Sequence, residues 1–215
     1  MANFEAKIRG MKHAYFCMLS VVGLLSLVGC SATKFVADGQ YLLNKATVKV
    51  EDTHEVLSQD LRNYLQQKQN TEILGFWKLQ LGIYNTASQD TAKWTSRNAR
   101  KIGEPPVIFS EELTERSMQQ LENAMDNKGY FQAEIDTTKE VKDKKLNLTY
   151  HVTANTPYHI RNYTISFPNA DLQQIAASER FRLLHEGMRF DVDAMNQERQ
   201  RVASAMRRNG CYYFD

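Results

Sequence analysis

The chain offers almost nothing with which to do chemistry. Its five histidines, at positions 13, 54, 151, 159 and 185, are scattered without metal-ligand spacing. No Gly-rich phosphate loop and no nucleophile elbow is present. Neither an enzyme nor a protein that holds a metal or cofactor is expected from this inventory. Charge of one sign is missing too: 27 Lys and Arg face 25 Asp and Glu. Residues 1–29 hold Lys7, Arg9 and Lys12 against Glu5 alone, so the rest of the chain is formally neutral. A nucleic-acid binder, which needs a basic excess to neutralise phosphates, is therefore disfavoured.

Cysteine is scarce, and its placement matters more than its number. A basic start precedes an apolar stretch from Ala14 to Val28, with small Gly29 at its end. This is a secretory-signal pattern over residues 1–29, and it is too short for a bilayer-spanning helix. Leu27-Val28-Gly29-Cys30 resembles the bacterial lipobox, which implies that the Cys30 sulfur receives diacylglycerol and becomes the mature N-terminus. The other reading is an ordinary signal peptide cut near Ala32. With Cys17 removed and Cys30 acylated, Cys211 stands alone and no internal disulfide can form. Its setting, Gly210-Cys211-Tyr212-Tyr213-Phe214, reads as a strand in which Cys211 is a small buried hydrophobe.

What the chain does contain is a repeat with an offset of 81 residues. Phe109 and Phe190 each precede a helical segment, Ala124-Met125 matches Ala205-Met206, and Gly129 matches Gly210. In the first copy Ser110 is the expected N-cap, Glu111 and Glu112 complement the helix dipole, and residues 113, 117, 121 and 125 share the inner face. In the second, Asp191 takes the cap position, and Ala194, Glu198, Val202 and Met206 follow the same spacing, with Glu198 the one polar intruder. Gly129 and Gly210 end the helices in the left-handed conformation.

Period-two patterns supply the strands. Phe131, Ala133 and Ile135 alternate with polar residues, a charged turn covers Lys139 to Lys145, and Leu146, Leu148, Tyr150 and Val152 alternate again, predicting an antiparallel hairpin. Opening strands are expected at Tyr41–Glu51 and Tyr158–Phe167. First helices are expected at Thr53–Gln67, with Leu57, Leu61, Tyr64 and Leu65 inward, and at Ala170–Phe181.

The fold class is thus α+β: tandem β-α-α-β-β modules behind an N-terminal signal helix, the second module cut short. Residues 30–40 are expected to be a tether, residues 41–153 the first module and residues 157–215 the second, lacking its last strand. The first module carries an insertion over about 70–106 that holds both tryptophans, Trp77 and Trp94. Lys93, Arg97, Arg100 and Lys101 would share a helical face there, with no acidic residue between Thr91 and Gly103. Two readings stay open: a docking surface for anionic headgroups or an acidic partner, or a solvated basic face over packed aromatics.

The order of elements, with Gly103-Glu104-Pro105-Pro106-Val107 before the second helix and Asn127-Lys128-Gly129-Tyr130-Phe131 after it, resembles POTRA domains of the BamA/TamA outer-membrane assembly family. The Cys30 motif followed by Thr33-Lys34-Phe35-Val36 and Tyr41-Leu42-Leu43-Asn44 is similar to the lipoprotein TamA-like branch of Bacteroidetes. The resemblance implies that the third strand lies between the other two, and that the chain is a periplasmic scaffold, lipid-anchored at the outer membrane. It implies binding of outer-membrane protein substrates and of a TamB-like partner subunit by strand addition. Members of that family continue into further repeats and a membrane β-barrel, whose alternating ten-residue strands have no counterpart here. A truncated product is therefore expected, with a free-standing lipid-anchored periplasmic binding lipoprotein as the alternative.

Overall fold

A computed structural model of the chain describes residues 32–75, 77–88, 92–176 and 182–213. The signal segment and Cys30 lie outside them. Two compact units result: one comprises the chain up to Ala46, Lys68–Phe109 and Lys139–Leu148, the other Thr47–Gln67, Ser110–Thr138 and Thr149 onward. Three strands run through this division: β1 (Leu42–Val50), β2 (Glu134–Lys142) and β3 (Lys145–Thr153). Their order is β1-β3-β2, so the third strand is central, as the resemblance implied. Leu146, Leu148, Tyr150 and Val152 alternate along β3 as fully buried residues, which is what a strand paired on both sides and covered on one face requires. The architecture is mixed α+β, the class expected from the sequence.

In the first unit the insertion forms α2 (Leu79–Thr86) and α3 (Trp94–Ile102). Val36, Leu42 and Leu81 make its buried cluster, with Ala32 and Ile108 packed against them. Residues 30–40 are therefore no loose tether from Ala32 onward: Val36 is an apolar side chain with a pocket to fill. Lys34 Nζ donates to the carbonyls of Asn85 (3.0 Å) and Ala87 (2.7 Å), supplying donors to the orphan carbonyls at the end of α2. Asn70 closes the base of the insertion, donating to Pro105 O at 2.7 Å and accepting from Val107 N–H at 3.1 Å.

The second unit holds the repeat. Helices α4 (Glu111–Asn127) and α6 (Val192–Arg208) are each 17 residues long. Ser110 Oγ accepts from Leu113 N–H (3.4 Å) and Asp191 Oδ1 from Ala194 N–H (3.0 Å), the same capping position in both. At the far ends, Tyr130 N–H bonds Met125 O and Gly129 N–H bonds Asp126 O, while Cys211 N–H bonds Met206 O and Gly210 N–H bonds Arg207 O. Both are Schellman closures, with Gly129 and Gly210 at φ +87° and +93°. Between the helices in sequence, Tyr158 N–H donates to Gly129 O and Phe190 N–H to Tyr158 O, each at 2.8 Å. The Phe131 ring packs on Tyr158 and Phe190 there.

Elsewhere the structure corrects the sequence reading. The first helix does not run over Thr53–Gln67: it is one turn, α1 (Ser58–Leu61), followed by a 3-10 turn at Arg62–Tyr64. Leu57 stands at its N-cap without a side-chain acceptor, and Gln66 N–H donates to Ser117 Oγ (3.0 Å) instead of continuing a helical ladder. Leu61 and Leu65 are buried, but Leu57 and Tyr64 are exposed and Val56 is buried instead. Strand β2 starts at Glu134, later than Phe131, and its turn is only Asp143-Lys144, both at positive φ. Tyr158–Phe167 builds no strand: a strand needs a neighbour, and among the described residues it finds a single bridge, His159 to Arg189. Of the expected helix Ala170–Phe181, α5 covers Ala170–Ala176 and residues 177–181 lie outside the description. Gly210–Tyr213 is likewise no strand; half-buried Cys211 packs on Ala176, Val202 and Met206, while Tyr212 and Tyr213 are exposed.

Candidate interaction surfaces

The two outer strands of the sheet end differently. Beyond β1, Leu43 N–H donates to Val107 O and Phe109 N–H to Tyr41 O, both at 2.8 Å, so residues 107–109 lie along its edge. Side chains take over further along: Ala46 N–H donates to Gln69 Oε1 (3.0 Å), Val50 N–H to Ser58 Oγ (3.4 Å), and Lys78 Nζ to Asn44 O. Burial lowers the Lys78 amine from its ordinary value even with Glu72 3.7 Å away working to raise it, as suits a half-buried strut.

β2 has β3 on one side, and among the described residues no strand or bridge lies beyond it. Its two-residue turn sets Lys142 opposite Lys145, a hydrogen-bonded pair in such hairpins. Counting back along the ladder, Ile135 and Thr137 direct their N–H and C=O groups outward. Glu134, Asp136, Glu140 and Lys142 stud the strand, a charge pattern that discourages edge-to-edge aggregation while leaving backbone pairing possible.

The insertion presents the second surface. Ile73 and Trp77 form a bridge around a tight turn, with Leu74 at φ 55° and Gly75 at φ 78°. Leu74 is 76% exposed at this tip and Trp77 47%. On α3, Trp94 is 69% and Ile102 65% exposed. Lys93, Arg97 and Lys101 are exposed at four-residue steps. Arg100 departs from that set: its Nη2 donates to Ser88 O at 3.2 Å and its guanidinium lies over the Phe35 and Tyr84 rings. Among the described residues no group of His, Cys, Asp and Glu could hold a metal.

Residues 46–155, just over half of the 215, match the family described as POTRA, surface antigen variable number repeat. The chain belongs to the POTRA family. Its domains are scaffold and binding modules rather than enzymes, and POTRA homologues are periplasmic domains of outer-membrane proteins. Among solved structures the chain is similar to POTRA3-5 of Haemophilus Influenzae BamA, at 14% identity over 81% of this chain and 89% of that one, with a TM-score of 0.27. It is also similar to POTRA1-2 of the periplasmic domain of Omp85 from Anabaena, at 10% identity over 81% and 83%, with a TM-score of 0.31. No curated protein matches the chain.

Proposed function

We propose that this chain is the periplasmic scaffold region of an outer-membrane protein assembly lipoprotein of the TamA-like kind, held at the outer membrane by acyl groups on Cys30. It binds extended segments of outer-membrane protein substrates, and of a TamB-like partner subunit, by adding them as a strand beside β2. The observation that carries this reading is the asymmetry of the sheet: β1 is covered by residues 107–109 and side chains, whereas among the described residues β2 ends the sheet. Main-chain pairing makes little demand on partner sequence, which suits a module that handles many clients.

A photo-cross-linker at exposed Thr138 on β2 should capture an unfolded outer-membrane β-barrel protein, and one at exposed Lys49 on β1 should not. Thr137→Pro removes an outward N–H without breaking the ladder to β3 and should abolish the Thr138 adduct. Equal capture at both positions would defeat the strand-addition reading. The anchor is checked separately, by palmitate labelling that Cys30→Ala abolishes.

A further inference from the structure

We infer that the insertion is a membrane-docking surface for anionic phospholipid, lying flat against the same leaflet that holds the anchor. The inference rests on the acylation of Cys30 proposed above. Ala32 already packs on the Val36, Leu42 and Leu81 cluster. Only Ser31 separates Ala32 from Cys30, a reach of about 7 Å when extended. Phe35 meets Tyr84 of α2 edge-on, with centroids 5.5 Å apart, so the first described residues are bound to the insertion's own helices. An acyl chain at Cys30 therefore leaves the first unit almost no slack and holds α2 and α3 within the headgroup zone.

The surface has the composition that position needs. Lys93 at the N-cap of α3 and Arg97 and Lys101 within it are exposed, with no acidic residue between Thr91 and Gly103, and exposed Trp94 and Ile102 belong to the same helix. Basic side chains beside tryptophan and aliphatic groups suit an anionic interface, where each cation strengthens binding and the indole sits at headgroup level. The end of α3 returns to the start of α2, since Glu104 N–H donates to Gln80 O (3.1 Å) and Glu104 Oε2 accepts from Thr71 N–H (2.9 Å). The exposed Leu74 and Trp77 tip thus stems from the base that α3 reaches. An acidic protein partner would use the cations but would leave the apolar tip unexplained.

The two tryptophans of the chain, Trp77 and Trp94, both lie here, so tryptophan emission, excited selectively over that of the ten tyrosines, reads this surface alone. Full-length acylated protein is reconstituted in vesicles of phosphatidylethanolamine with phosphatidylglycerol, and in vesicles of phosphatidylcholine, each with brominated acyl chains. Emission should shift to the blue and be quenched in the anionic vesicles, and much less in the neutral ones. The triple variant Lys93→Glu, Arg97→Glu, Lys101→Glu should lose that response while incorporating palmitate normally. For unacylated Cys30→Ala protein, the same three changes should weaken partitioning into anionic vesicles by about a hundredfold. Acylated protein whose tryptophans respond identically in both lipids overturns the inference and leaves the anchor standing. Failure of palmitate incorporation instead removes the anchor, and the Cys30→Ala titration then decides: no anionic preference there sinks the docking surface as well. A shift that appears only on adding an acidic protein, and not with lipid, also overturns it.

Discussion

Helices α4 and α6 are two solutions to one problem. Each has 17 residues, one capping side chain and one Schellman closure, and each buries a polar residue in the middle of its apolar stripe: Ser117 in α4 and Glu198 in α6. Both polar groups do the same job. Ser117 Oγ accepts from Gln66 N–H, and Glu198 Oε2 accepts from Leu183 N–H at 3.0 Å, so each fastens a segment that precedes its helix in the chain. The two anchored N–H groups are 117 residues apart, the same offset that separates Tyr41 from Tyr158 at the opening of the two repeats. The repeat is thus a repeat of hydrogen-bonding roles as well as of apolar positions. The difference lies in charge. A hydroxyl is content with the Leu113 carbonyl as a second partner, at 2.7 Å. A buried carboxylate demands a cation, and Arg201 supplies it through Nε and Nη2, each at 2.8 Å, with the Tyr163 hydroxyl donating at 3.1 Å.

Removing the cation should have the largest effect. Arg201→Met leaves Glu198, 1% exposed, without its charge partner, and is expected to cost about 3–5 kcal/mol, read by denaturant unfolding or by loss of amide protection in α6. Glu198→Gln should cost less, because an amide oxygen can still accept from Leu183, and it makes the second anchor neutral like the first. The pair also fixes a pH response. Burial works to raise the Glu198 carboxyl, but the Arg201 guanidinium, the Leu183 N–H and the Tyr163 hydroxyl outweigh it and hold the group below its ordinary value. A depressed folded-state value means that this stability is present in full above the unfolded carboxyl range, about 4.3, and is lost as the pH falls through the folded value. Hydrogen exchange below pH 4 should therefore release α6 before α4, and Glu198→Gln should remove that difference.

The helix ends sharpen the comparison at a smaller scale. Gly129 and Gly210 occupy the same left-handed position, but a Cβ on Gly129 would stand 2.5 Å from Phe190 O, whereas one on Gly210 would meet nothing within 4 Å. Gly210→Ala should cost about 1–2 kcal/mol for the backbone alone. Gly129→Ala adds a further ~1–3 kcal/mol for the forced shift, since the Phe190 backbone is held by its bond to Tyr158 O. Equal losses for the two alanines, measured by thermal or chemical unfolding, would show that the Phe190 contact imposes no constraint.

The repeat helices were legible because their signals are local: Ser110 and Asp191 as caps, Gly129 and Gly210 as stops, and spacing that puts Leu121, Met125, Val202 and Met206 inward. β3 was legible for the same reason, since alternation over Leu146–Val152 needs no knowledge of neighbours. What failed depended on partners far along the chain. Leu57 and Tyr64 fit a helical stripe, but Ser117 takes the Gln66 N–H and ends the helix early. Tyr163, Ile165 and Phe167 alternate like a strand, yet pairing requires a second strand that the described residues do not provide. On the interaction surfaces, sequence spacing placed Lys93, Arg97 and Lys101 together but could not see Arg100 folding back onto Phe35 and Tyr84. Ser117 was readable only as a small residue on the inner face, and its role as an anchor appears once Gln66 is seen to reach it.

Ser117→Ala is the mildest way to break the comparison. It deletes the acceptor for Gln66 N–H and the donor to Leu113 O, but Leu113 O remains within the helix and the exposed Gln66 can turn its N–H to water. A loss of about 0.5–1.5 kcal/mol is expected, the net worth of an ordinary neutral hydrogen bond, and it should be the same at pH 4 and pH 7 because nothing at that site titrates. If Ser117→Ala instead destabilised as much as Arg201→Met, polar anchoring as such would be the demanding feature of this fold. A small, pH-independent loss would locate the demand in the buried charge alone, and with it the reason that α6, and not α4, carries an arginine one turn beyond its anchor.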